Sequence, residues 1–340
     1  MFQRKINSVE ISQLQKIIDA MSDFVIVCHV SPDGDAIGSS LGLWHLLLSI
    51  NKKATIITPD QPPKSLSFLP GISEIISYSS SPEIAKKILF EAEAIICLDF
   101  NSLSRIDRLE LELKNITAPK VIIDHHLYPE DFAELKISYP QVSSTCALLY
   151  YVIYQMGLSD KLSSNAAECI YTGMMTDTGN FSYNSSDSDL YLIISELIKK
   201  GINKDQIYTQ IYNTNTESSL RLNGYAISNK MRLFYEQNAA LITLNKEELE
   251  KHNYQKGDTE GLVNVPLSIP GISFSAFFRE DKEFVKISMR SKSDFPVNTI
   301  CEKYFNGGGH KNAAGGEFYG SLNEAIALFE SVLINNKLKQ

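Results

Sequence analysis

Asp124-His125-His126 directly follows the apolar run Val121-Ile122-Ile123. A carboxylate and two imidazoles can bind divalent metals. A strand ending in them delivers them to the carboxyl edge of a sheet, where open α/β folds build their ligand sites. One such triplet is weak, but other apolar runs end the same way. Phe24-Val25-Ile26-Val27-Cys28 leads into His29, Asp33 and Asp35, and Ala94-Ile95-Ile96-Cys97-Leu98 ends at Asp99. A helical run closes on Thr176-Asp177-Thr178-Gly179. Taken singly, each has an ordinary reading: a capped turn, a turn aspartate, a solvated acid at a helix end. Brought together at neighbouring strand ends, the carboxylates would repel one another unless cations sat among them. Oxygen and imidazole donors without cysteine suit manganese, iron, cobalt or zinc. A carboxylate bridging two such ions suits in-line attack on phosphorus. Of the six histidines, His29, His125, His126 and His310 stand in such strings. His45 falls in an apolar helical run, which predicts a core or supporting role, and His252 falls in polar text, which predicts a solvated one.

The elements that must position these residues are legible from periodicity. Short β-rich runs at 24–28, 54–58, 94–98 and 120–123 alternate with helical patterns at 38–49, 82–90, 103–113, 144–154 and 163–175. Strands alternating with helices predict an α/β fold with a doubly wound parallel sheet. After about residue 200 the text changes. Alternating runs at 232–244, 272–279 and 283–290, with helices at 297–305 and 322–335, predict a smaller α+β domain of antiparallel strands with one wet face. The expected division is a metal-binding catalytic domain at 1–200, a helical linker at 201–224 and a substrate-binding domain at 225–340.

Composition narrows the partners. The 340 residues suffice for two domains, and 44% hydrophobic with 21% charged is globular. A net charge of -8 argues against gripping long duplex DNA, though not against a short phosphorylated substrate. The five cysteines are odd in number, lie mostly in apolar runs and show no CxxC spacing. They predict buried reduced thiols and a cytoplasmic protein. No apolar run reaches the roughly 20 residues of a membrane span, and the N-terminus lacks a signal-peptide core.

The C-terminal half adds Gly307-Gly308-Gly309-His310, a backbone that a phosphate could approach closely, and Arg290-Ser291 at a strand end. Alone, these read as a Gly-rich loop and a surface arginine. Arg279, Lys286, Lys292, Lys303 and Lys311 are interspersed with acids and read as solvated face.

At this point a family resemblance is visible. HVSPDGD, the Asp99 strand end, DHH and TGMMTDTGNF match, in order, the four motifs of the DHH phosphoesterase superfamily. VKISMRSKSDFPVNTICEKYFNGGGHKNAAGG resembles its DHHA1 domain. The whole is similar to the compact two-domain subgroup of bifunctional oligoribonuclease and pAp phosphatase (NrnA-type) enzymes. The resemblance implies an active site in an interdomain cleft with two divalent ions, manganese foremost. His29, Asp33 and Asp99 would hold one, and Asp35, Asp99, His125 and Asp177 the other. It also implies catalytic roles for Asp99, for His126 facing the scissile phosphate, and for Asp124 orienting the imidazoles. Arg290, Ser291, Gly308, Gly309 and His310, with His126, would bind substrate. The implied reaction is hydrolysis of short RNA to mononucleotides and of pAp to AMP. Two departures stand out: Asn306 fills a place often held by another glycine, and Ala147 stands where relatives often carry an acid. The alternatives are a phosphodiesterase for cyclic or linear dinucleotides (pApA, pGpG) and a nucleotide-binding regulator without catalysis. Self-association as a homodimer is left open.

Overall fold

The apolar runs that end in chemistry become the inner strands of a parallel sheet. In a computed structural model, which describes residues 2–292 and 295–335 without the side chains of His310 and Asn335, the chain divides into two units, Met1–Thr214 and Asn215–Gln340. Ser293 and Asp294 of the C-terminal string lie outside the described residues.

The first unit holds β1 (Asp23–Val27), β2 (Lys53–Thr58), β3 (Ile76–Ser77), β4 (Ala94–Leu98), β5 (Lys120–Asp124) and β6 (Leu135–Ser138), in the order β3-β2-β1-β4-β5-β6. Every pairing is parallel. The helices are α1 (Ser8–Ala20), α2 (Gly34–Ser49), α3 (Pro82–Glu91), α4 (Leu109–Asn115), α5 (Thr145–Gln155), α6 (Ser164–Asp177), α7 (Ser188–Lys199) and α8 (Lys204–Tyr212). Successive strand residues serve two cores. Phe24, Ile26, Ile96 and Ile123 pack with α1, α2 and α5 to α8, whereas Val25, Ile95, Cys97 and Ile122 pack with α3 and α4. A strand buried on both faces needs a continuous apolar run, which is why these strands read so clearly. The edge strands were not legible. β3 has two residues, and β6 (LKIS) alternates within polar text.

The second unit contains α9 (Glu217–Tyr225), β7 (Arg232–Phe234), β8 (Ala239–Leu244), α10 (Lys246–Lys251), β9 (Phe274–Glu280), β10 (Val285–Ser291), α11 (Val297–Tyr304), β11 (Gly308–His310), β12 (Ala313–Phe318) and α12 (Leu322–Asn335). Its sheet runs β11-β12-β10-β9-β8-β7. Two expectations need correction. β8 pairs in parallel with β9, so the sheet is mixed rather than antiparallel. β8 is also buried along its whole length, because Leu241 faces α11 and α12 while Ile242 and Leu244 face α9 and α10. The Gly-rich string, expected as a loop, forms the edge strand β11. Among the described residues no helix is long and apolar enough to cross a membrane.

Candidate metal centre

Sheet order reverses at β1 and β4. From β1 the chain steps to β2 and β3 on one side, and from β4 to β5 and β6 on the other. The loops leaving these two strands diverge and open a crevice at their carboxyl ends. His29 and Asp33 leave β1, Asp99 leaves β4, and Asp124-His125-His126 close β5.

Local chemistry fixes each side chain. Asp33 caps α2, accepting the N–H groups of Asp35 at 3.0 Å and Ala36 at 3.1 Å. The capped-turn reading of this stretch therefore holds, and it coexists with membership of the cluster. The helix starts at Gly34, earlier than the periodicity indicated, which places Asp35 in its first turn. Asp35 is buried and accepts the backbone N–H groups of Thr145 at 2.6 Å and Cys146 at 2.9 Å, at the start of α5. A carboxylate at a helix N-terminus is favoured electrostatically. Asp99 adopts a left-handed φ of 64°, and its Oδ1 accepts the Thr145 hydroxyl at 2.8 Å. Thr145 therefore braces two carboxylates. The sequence reading missed it, although Ser143-Ser144-Thr145 before an apolar helix is a recognisable capping signal.

The donor atoms converge. His29 Nε2 lies 3.4 Å from Asp99 Oδ2 and 3.9 Å from Asp33 Oδ1. His125 Nε2 lies 3.7 Å from Asp99 Oδ1, 3.6 Å from Asp177 Oδ2 and 3.9 Å from Asp35 Oδ2. Donors bound at about 2.1 Å to a common ion stand about 3–4 Å apart, so these spacings fit ions between them better than hydrogen bonds. Three overlapping groups result: His29, Asp33 and Asp99; Asp35, His125 and Asp177; and Asp99, His125 and His126. Each ring is held by its other nitrogen or by a neighbour: His29 Nδ1 by Val30 O at 2.7 Å, His125 Nδ1 by Val142 O at 3.2 Å, His126 Nδ1 by Asp124 Oδ1 at 2.7 Å.

The electrostatics describe a site that calls for cations. Burial pushes Asp35 well above the usual carboxylate range, and the charges of Asp99, Asp177 and Asp33 add to it. Burial likewise pushes Asp177 up to about 7, assisted by Asp99 and Asp33 and opposed by His125 and His126. Asp99 is buried too, but the hydrogen bond and charge of His29, with His125 and His126, overcome this and hold it at about 2. Burial works against charge on His29 and His126, yet Asp99 and Asp124 respectively draw both above the usual imidazole value. Protons and imidazolium charge stand here where divalent ions would neutralise the carboxylates. Cysteine takes no part: all five thiols are unbridged and buried, and burial pushes each of them up.

The remaining histidines lie elsewhere. His45 Nε2 is 3.0 Å from Pro70 O, and His252 packs against the Tyr225 ring. In the second unit, Arg290, Gly307, Gly308 and Gly309 line a cavity of about 510 Å³ together with Lys286, Ser288 and Asn306. Lys286 and Ser288 were not anticipated; they alternate with buried residues of β10 and so share its open face. The three glycines differ in purpose. A Cβ at Gly307 would strike Gly315 O, and one at Gly309, whose φ is 141°, would strike Ala313 O. At Gly308 a Cβ would come no closer than 3.8 Å to any neighbour. Gly308 is thus the glycine that strand packing does not demand. Asn306 takes a left-handed φ of 43°, which asparagine tolerates. The Ser291 hydroxyl donates to Phe295 O at 2.6 Å and accepts from Asn312 at 2.9 Å, so one lone pair is left for a ligand. The His310 side chain lies outside the described residues.

Known proteins carry the same pattern. Residues 23–174 match the model of the DHH family, N-terminal domain, and residues 237–335 match the DHHA1 domain. The bifunctional oligoribonuclease and PAP phosphatase NrnA of Bacillus subtilis is 29% identical over 311 residues, covering 91% of this chain and 93% of that protein. The protein of the same name from Thermus thermophilus is 30% identical over 295 residues, covering 87% and 84%. The crystal structure of an exopolyphosphatase-related protein from Bacteroides fragilis superposes with a TM-score of 0.97 at 50% identity, covering 99% and 98%. With both domains matched, and with the metal-competent cluster at the sheet's switch point, the chain belongs to the DHH family of phosphoesterases and is a hydrolase of phosphoester bonds.

Proposed function

We propose that this protein uses two divalent ions, manganese foremost, to hydrolyse short oligoribonucleotides to mononucleotides and pAp to AMP. The observation that carries the two-ion reading is the splitting of Asp99: Oδ2 faces His29 while Oδ1 faces His125. A carboxylate whose oxygens address different imidazoles is placed to bridge two ions. His29 and Asp33 would complete one set, and Asp35, His125 and Asp177 the other. Enzymes of this family use divalent metals, and such ions acidify water and draw charge from phosphoryl oxygens.

The chain's own residues then have distinct tasks. Asp124 holds His126 by Nδ1, and that ring would face the scissile phosphate. Arg290 offers a fork of donors, and the Gly308 backbone a close approach, to the nucleotide end. Gly309, His310 and the remaining lone pair of Ser291 would complete that contact. A cavity of about 510 Å³ is in the range of small-ligand sites and suits a nucleotide rather than a polymer. The names of the Bacillus and Thermus relatives support short RNA and pAp as substrates. The buried thiols agree with action in the cytoplasm.

The test is a substrate panel. Purified protein with Mn²⁺ is given pApA, pAp, long RNA, cyclic di-AMP, pyrophosphate and short polyphosphate, and products are resolved. Turnover of pApA and pAp well above the others is expected. Preferred cleavage of polyphosphate, which the description of the Bacteroides structure makes a fair competitor, would overturn the nucleotide assignment.

A further inference from the structure

The loop after Asp99 carries a cation that the site as described does not use. Arg105 lies in the 3₁₀ turn Leu103–Ile106 and is half-buried. Hydrogen bonds tie this turn to both neighbouring site loops. The Arg105 carbonyl accepts from Val30 N, beside His29, at 2.8 Å. Leu103 N donates to Glu130 Oε2 at 3.0 Å, in the loop that follows His126. Asn101 strengthens the second tie: its Nδ2 donates to Leu127 O at 2.6 Å, and its carbonyl accepts from Glu130 N at 2.7 Å. The backbone of Arg105 is therefore as fixed as the ligand loops themselves.

Its side chain is less committed. Among the described residues no carboxylate lies within ion-pair distance of the guanidinium, and it makes no hydrogen bond. This holds although the neighbouring loops present Asp33, Asp99 and Asp124. Arg105 nevertheless arises from a turn bound to the loop of His29 on one side and to the loop after His126 on the other. A partly buried arginine ordinarily satisfies its donors within the protein. Here five N–H donors issue from a turn held between the two site loops, with no acceptor among the described residues.

We propose that Arg105 contacts the phosphoryl group undergoing cleavage, forking onto its non-bridging oxygens alongside His126. The inference rests on the reading that this centre receives the scissile phosphate. A fixed guanidinium stabilises the charge that accumulates on those oxygens in the transition state, and it does so without being a metal ligand.

The test compares Arg105→Ala and Arg105→Lys with wild type on two substrates, pApA and bis(p-nitrophenyl) phosphate, at saturating Mn²⁺. Thermal stabilisation by Mn²⁺ is measured in parallel. Removing a charge-assisted hydrogen bond to the reacting group lowers kcat/KM about tenfold to a hundredfold. That loss is expected on both substrates in Arg105→Ala, with Mn²⁺ stabilisation unchanged. Added guanidinium ion should restore part of the alanine variant's rate, and lysine should retain part of it. Unchanged rates would overturn the inference, as would a loss confined to pApA, which would place the contact away from the scissile group. A loss accompanied by loss of Mn²⁺ stabilisation would show a structural role and also overturn it. Wild type active on bis(p-nitrophenyl) phosphate but inert to pApA would refute the substrate reading while leaving Arg105 tested on the phosphodiester it does cleave.

Discussion

Asp124 spends both carboxylate oxygens on His126: Oδ1 lies 2.7 Å from its Nδ1 and Oδ2 accepts its backbone N–H at 3.1 Å. Neighbouring His125 turns instead to Val142 O. The family resemblance led us to expect Asp124 behind the imidazoles jointly, and the geometry separates them. One ring is steered by a buried charge, the other by a neutral carbonyl.

Asp124→Asn should therefore act through His126 alone. Asparagine can still accept from Nδ1, but it removes the charge that steers the ring. Turnover should fall about 10–100-fold, the usual cost of losing such a supporting partner. Mn²⁺ affinity, measured by calorimetry, should hold, because His125, His29 and the four ligand aspartates keep their partners. A fall in affinity with turnover preserved would instead place Asp124 behind His125.

Metal removal should loosen the first unit. Without cations the buried carboxylates of Asp35 and Asp99 face one another and Asp177 across the cluster. An ion that binds only the folded state adds about 2.7 kcal/mol at a hundred times its Kd. Chelation should lower the melting temperature and Mn²⁺ should restore it, saturating at two ions per chain by elemental analysis. In Asp99→Asn both sites should weaken, since each of its oxygens faces a different histidine. A wild-type protein that saturates at a single ion would end the bridging account.

Legibility in the sequence followed burial. β4 and β5 are apolar on both faces, so their ends, and hence Asp99 and the Asp124 triplet, could be read from composition alone. The fold brings donor atoms of His29, Asp33, Asp35, Asp99, His125 and Asp177 together in overlapping groups. Two kinds of feature escaped. Val142 and Arg105 take part through backbone geometry or through loops brought together by the sheet, and no local pattern announces that; at Thr145 the capping signal marks the helix start but not the carboxylates it braces. β8 read as half-wet because periodicity cannot reveal a second core on the other face of the sheet, and its parallel pairing with β9 depends on a long connection. Ala147 shows the same limit. Its N–H is capped by Ser144 at 3.0 Å, and the acid serving the start of α5 comes from Asp35, far away in sequence.

The second unit offers a pH test remote from the metal cluster. Glu248 completes a capping box with Asn245 at the start of α10, and its Oε1 accepts from Lys230 at 2.7 Å and Tyr225 at 2.8 Å. Burial works to raise its carboxyl, but Lys230, the Asn245 N–H and Tyr225 together hold it below the ordinary value of 4.5. A lowered carboxylate contributes stability that is present above the unfolded value and lost as pH falls through the folded one. Glu248→Gln keeps the cap and removes the charge. It should cost roughly 0.5–1 kcal/mol at pH 7, after allowance for solvent screening, and nothing once both proteins are below the folded value. The reading is the circular-dichroism transition that occurs without a change in fluorescence, because the single tryptophan, Trp44, reports only on the first unit. An equal deficit at acid pH would show that packing, not charge, holds Glu248.

Two glycines within helices should respond to alanine with opposite signs. Gly173 of α6 faces α2 and α5, where a methyl group would strike Cys146 Sγ and lie 3.0 Å from Asp35 Oδ1. Alanine gains about 1 kcal/mol of helix propensity, but overpacking at such a contact costs about 1–3 kcal/mol. Gly173→Ala should lower the urea midpoint reported by Trp44 and weaken Mn²⁺ binding, because the strain falls on a carboxylate of the cluster. Gly224 of α9 is exposed and would meet nothing within 4 Å. Gly224→Ala should gain about 0.5–1 kcal/mol in the second unit with Mn²⁺ binding unaltered. If Gly173→Ala were instead stabilising and bound Mn²⁺ normally, the close packing of α6 against Asp35 would not be what fixes that ligand.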